Sequence, residues 1–135
     1  MGWGRACSER VYPLFKGEVD PRLDQALQVA EAWEKGKVKT GVAMKASLGA
    51  HAVARESSDP TSIAVARSIG QAVAAAHMAD HCIGAALYAL KAVKHARKSI
   101  PVEREWQVGQ LQQLPPEIVD LVLTTFKTKE VSFKL

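Results

Sequence analysis

AVAAAHMADHCIGAAL (residues 72–87) is alanine almost throughout, interrupted by His77, Asp80 and His81. Twelve of the 33 residues from Ala64 to Ala96 are alanine. Alanine is the best helix former, and its short side chain lets helices approach closely. Read as one helix, the pattern runs unbroken from Pro60 to Lys98. Such a rod would be about 58 Å long at 1.5 Å per residue, too long for a compact domain of 135 residues. The reading therefore requires a break near Met78–Asp80, with Asp80 capping a second helix. The first of the pair, opened by Asp59–Pro60, is apolar nearly all round and belongs at the centre of its domain. The second places Ile83, Ala86, Leu87 and Leu90 on a buried face. It then presents Lys91, Lys94, His95 and Lys98 as a basic stripe near a C-terminus, where the helix dipole favours cations.

The remaining segments also show helical spacing. Trp3 to Phe15 places Ala6, Cys7, Val11 and Leu14 together, with Pro13 bending or ending the regular part. VDPRLDQALQVAEAWEKG (residues 19–36) has Asp20 as N-cap, Pro21 at the first helical position and Gly36 to close. In the next helix, with Thr40 as its cap, Ser47, His51 and Arg55 share a face. Pro101 stops the alanine-rich region. VEREWQVGQLQQL (residues 102–114) is a shorter helix. PPEIVDLVLTTFK (residues 115–127) is the last, buried through Ile118, Val119, Val122 and Phe126. The tail from about residue 128 to 135 reads as a short strand or a flexible end. The expectation is an all-α single domain, residues 1–135, of six or seven helices around a central alanine-rich pair.

The net charge of +4 is modest and does not by itself imply a nucleic acid. Cys7 and Cys82 have no metal-type spacing and imply no disulfide framework. The N-terminal MGWGRACSER lacks a hydrophobic signal core. The longest uncharged run of the alanine-rich region, Ser68 to Ala79, falls short of the roughly 20 apolar residues of a membrane span. The composition reads as that of a soluble, cytoplasmic protein. A homo-oligomer is left open.

His77 and His81 are the sharpest candidates for chemistry. On one continuous helix, imidazoles four apart can chelate a transition metal. HMADH lacks the glutamate of H-E-x-x-H, however, and Asp80 points about 100° away from His81. A helix break would also destroy the chelating geometry. His95 lies about 21 Å further along the axis, which leaves His51 as a third ligand. The plainer reading makes each histidine a plug between alanine-lined helices, bonded to a carbonyl or carboxylate. Arg55 and Arg67 are expected to pair with carboxylates, with Glu9, Glu31 and Glu56 as partners. If one site exists, His51, Arg55, His77, Asp80 and His81 converge on it as a ligand-binding cleft. No catalytic residue and no cofactor is indicated. The two cysteines sit in apolar surroundings that favour inert thiols, and no serine occupies a nucleophile elbow. Gly41, Gly49, Gly70 and Gly84 fall inside helices, where they permit close crossings. Glu103 and Glu105 read as exposed helix-dipole and solubility residues.

The order of segments resembles a family of small helical bacterial proteins described as immunity proteins of polymorphic toxin systems. The stretches that carry the resemblance are CSERVYPLF, DPRLDQALQVAEAWEKGKV, AHAVARE, VARSIGQAVAAAHMADHCIGAALYALKAV and EREWQ…LPPEIVDLVL, spanning roughly residues 6–125. The resemblance implies an all-α domain that binds and neutralises a cognate protein toxin by occlusion, with no enzyme activity and no cofactor. Charge adds a constraint, because complementary potentials steer such pairs. A basic chain suits a target that is not a basic nuclease, unless the contact is locally acidic. Glu18, Asp20, Asp24, Glu31 and Glu34 form one such acidic segment. Two other readings compete. One is a small-ligand or metal-binding domain using the histidines. The other is a weak nucleic-acid binder using Lys91, Lys94, His95, Arg97 and Lys98, disfavoured because no aromatic is interleaved for base stacking.

Overall fold

A computed structural model describes residues 1–135. Seven α-helices form one bundle without strands: α1 (Gly2–Val11), α2 (Pro21–Glu34), α3 (Thr40–Glu56), α4 (Pro60–Ala74), α5 (His81–His95), α6 (Ile100–Leu111) and α7 (Pro116–Phe133). The starts follow the local chemistry. Asp20 accepts from the Arg22 amide at 2.9 Å, and Asp59 from the Ser62 amide at 2.9 Å, each ahead of a proline that tolerates the missing donor. Pro13 ends α1 in a single 3-10 turn, Tyr12–Leu14. Gly36, at φ +71°, supplies the left-handed residue that closes α2. Thr40 is not a cap. Lys39 holds that position, and the Thr40 hydroxyl instead accepts from the Trp33 indole at 3.3 Å.

The alanine-rich region breaks where its length requires. Helix α4 ends at Ala74, a turn spans residues 75–80, and α5 begins at His81. Asp80 occupies the cap position without capping, since its carboxylate turns to Lys129 on α7 at 3.3 Å. Pro101 does not stop α5. That helix ends at His95, with Arg97 at φ +61°, and Pro101 lies in the first turn of α6. Lys98 therefore falls beyond the basic stripe.

Helices α4 and α5 pack along each other at the centre. Helix α3 covers α4, α1 crosses both, α2 lies on α3 and α4, and α6 and α7 lie on α5. Eleven of the fifteen residues of α4 are buried. Ala66, Ala72, Ala85, Ala86, Ala89 and Ala92 are fully enclosed, beside Val65, Ile69, Leu87 and Leu90. Small side chains bring the backbones close enough for polar cross-links. Ser68 donates to the Ala85 carbonyl at 2.7 Å, so Ser8 on α1 donates to Ser68 at 2.8 Å. Ser47 ties α3 to the Gly70 carbonyl at 2.9 Å, and buried Gln107 ties α6 to the Ala86 carbonyl at 3.0 Å. These groups lie in the core, and each bond removes a desolvation cost of about 1–3 kcal/mol.

The C-terminal segment departs from expectation twice. Residues 128–133 continue α7 rather than forming a strand. Of the four residues expected to be buried there, only Phe126 is, packed against Trp3 with ring centroids 6.3 Å apart. Ile118 is exposed. Glu103 also differs: it is nearly buried, 3.0 Å from Arg10, whose guanidinium stacks over Trp106. No helix is long and apolar enough to cross a membrane.

Candidate functional site

His51, on α3, lies with its ring against Gly70 of α4, where even a Cβ would come within 2.7 Å of Nε2. Its Nδ1 is 2.8 Å from an Arg67 guanidinium nitrogen. A guanidinium only donates, so Nδ1 accepts and the proton of the neutral ring sits on Nε2. Burial, followed by the charges of Arg67, Arg55 and His81, pushes the His51 pKa down to about 4. Arg55 follows one turn later on α3 and is exposed. His81, at the start of α5, places Nδ1 2.7 Å from Gln71 Oε1 of α4 and so donates to it. Gln71 in turn lies over Gly84, where a Cβ would meet its amide oxygen at 2.9 Å.

The structure thus groups His51, Arg55 and His81 and adds Arg67 and Gln71. It does not bring the other two expected members into this group. His77 is exposed on the turn between α4 and α5 and makes no side-chain hydrogen bond. Asp80 faces α7. The turn between His77 and His81 removes the chelating geometry of a continuous helix, and no three His, Cys, Asp or Glu side chains converge to hold a metal ion. As plugs, His51 and His81 fill the α3–α4 and α4–α5 crossings, although their partners are an arginine and an amide rather than a carbonyl or carboxylate. The expected carboxylate partners of Arg55 and Arg67 go elsewhere: Glu9 to Arg5, Glu31 to Lys35 and Glu56 to Arg22.

A cavity of about 660 Å³ opens between α1, α5 and α7, lined by Trp3, Cys82, Ile83, Ile118, Leu121 and Val122, with Asp80 at its edge. The Cys82 thiol is pushed up, chiefly by burial, and that of fully buried Cys7 is pushed up further. Neither is a nucleophile in its resting state.

A family model described as Imm-5 like putative immunity protein matches residues 1–114. The chain belongs to that family. Comparison with curated proteins and with solved structures gave no match. The part of this Imm-5 like protein that matches includes α1 through α6 and every residue of the His51 group, whereas α7 lies beyond it. Arg67 and Gln71 were the members that sequence reasoning left out of the site. Their spacing was a usable signal: Ile63, Arg67 and Gln71 recur at i, i+4 and i+8 along a helix otherwise made of small or apolar residues.

Proposed function

We propose that this family member is a non-catalytic immunity protein that binds a cognate protein toxin and blocks it by occlusion. The observation that carries the reading is the state of its chemistry-bearing side chains. Both thiols are held protonated by burial. His51 is neutral with its basic nitrogen engaged by Arg67, and His81 is engaged by Gln71. None of these groups is poised for bond-making chemistry, which leaves the surface, where half-buried His51 and His81 still emerge, to act by binding. Within that surface, His51, Arg55 and His81, joined by Arg67, are the proposed ligand-binding residues. Family membership supports the toxin as the class of partner.

Co-expression with the toxin encoded beside its gene tests the proposal. A stoichiometric complex on gel filtration is expected, with toxin activity suppressed and the intact masses of both chains unchanged. A toxin released in chemically altered form, or one that stays active beside excess protein, overturns it.

A further inference from the structure

Residues 40–98, which hold α3, α4, α5 and the turns between them, contain three acidic residues, Glu56, Asp59 and Asp80, and seven lysines and arginines. All three acids lie at helix ends and are engaged there. Glu56 binds Arg22 at 2.8 Å, Asp59 caps α4 and lies 3.5 Å from Lys16, and Asp80 pairs with Lys129. Neither Arg55 nor Arg67 has a carboxylate within ion-pair distance, and both charges act on His51. The nearest carboxylate in the chain, Glu56, is turned to Arg22. The outward stripe of α3 is Met44, Leu48, His51 and Arg55, with Leu48 64 % exposed. Helix α4 reaches the surface between its ends only through Ile63, Arg67 and Gln71. The opposite holds for the acidic segment of α2, which is largely neutralised within the molecule. Asp20 binds Arg22, Glu31 binds Lys35, Glu34 binds Arg5, and Asp24 accepts from the Tyr12 hydroxyl. The acidic segment of α2 is thus spent within the molecule, and the face shared by α3 and α4 carries two guanidiniums, Arg55 and Arg67, that no ion pair offsets.

We infer that this face, centred on Leu48, His51, Arg55 and Arg67, is the docking surface for an acidic protein partner that sets carboxylates against the two guanidiniums and an apolar side chain against Leu48. The inference rests on the toxin-binding reading and names the surface and the partner's charge. Planar guanidiniums take carboxylates in bidentate fashion, and arginine is among the residues enriched at interface hot spots. The short reach of Arg67, which is tied to His51, favours a folded or peptide carboxylate over the regular phosphate ladder of a duplex, and no aromatic lies among these four residues for base stacking.

A short Glu- and Asp-rich peptide with a central tryptophan, titrated into isotope-labelled protein, tests the surface without the toxin. The expected result is chemical-shift change confined to residues of α3 and α4 around His51 and Arg67, with the His51 titration moving upward as the added carboxylates offset the arginine charges. The double variant Arg55→Glu/Arg67→Glu should weaken peptide binding about tenfold or more. Lys37→Glu/Lys39→Glu, with the same net charge placed at the far end of α3, should not. Shifts centred elsewhere, equal weakening by both variants, or the same residues responding to a DNA duplex and not to the peptide overturn the inference. The toxin arm separates the two readings. A toxin that binds Arg55→Glu/Arg67→Glu as well as wild type removes this surface and leaves the immunity function standing. Peptide bound at this face by a protein that does not inhibit the toxin upholds the surface and removes that function.

Discussion

Arg67 fixes His51 as a neutral acceptor, and that has a consequence for stability. Unfolded, the imidazole titrates near 6.5; folded, near 4. Between those values the unfolded chain binds the extra proton, so stability is complete above about pH 6.5 and falls as pH drops toward 4. Partial exposure of the ring screens these charges, so the loss is on the order of 1–2 kcal/mol, with Arg67, Arg55 and His81 as the groups facing the ring. Urea unfolding of wild type and His51→Asn across this window should show the slope in the former and a flatter profile in the latter. Gly70 gives a second residue-scale prediction. Gly70→Ala should destabilise by about 1–3 kcal/mol through collision with the ring. In a His51→Ala background the same change should stabilise, because alanine then contributes only its higher helix propensity. A thermal double-mutant cycle reads the change of sign. Sequence spacing placed His51 and Arg55 on one face and identified Gly70 and Gly84 as crossings. It assigned the arginines to carboxylates because the rotation of α4 against α3 is a tertiary property. Even so, the i, i+4 partners of Glu9 and Glu31, Arg5 and Lys35, were visible on their own helices.

Helix boundaries were legible wherever one residue supplies the cap. Asp59→Ala should cost about 1 kcal/mol, whereas Asp80→Ala, which loses only an exposed ion pair with Lys129, should cost under about 0.5 kcal/mol. Chemical denaturation of the two variants distinguishes a side chain that caps from one that merely occupies the position. Helix α7 was the least legible element. Its apolar residues suggested burial, but Phe126 is its one buried side chain, helped by Phe133 edge-on to Tyr88 and by partly buried Val122, while Ile118, Leu121 and Val131 stay exposed. An element so attached opens at low cost. Amide exchange in α7 should be at least about 100-fold faster than in α4. Equal protection of the two helices would show α7 to be an integral part of the bundle.

At the level of the molecule, helical spacing in almost every segment predicted the all-α class, and the alanine count with the length limit on a continuous helix predicted the central pair. The site was less legible because its members come from three helices and its coherence depends on which charges are neutralised nearby, which no single segment records. Without three converging ligands, the melting temperature should be unmoved by added zinc or by a chelator; a rise of several degrees with stoichiometric zinc would show a site formed by rearrangement. The near-total enclosure of α4 has one more consequence. Because only Ile63, Arg67 and Gln71 emerge between its ends, retargeting the molecule to a different adversary through that helix leaves an engineer three letters to rewrite, while its other interior positions must be kept as they are for the scaffold to stand.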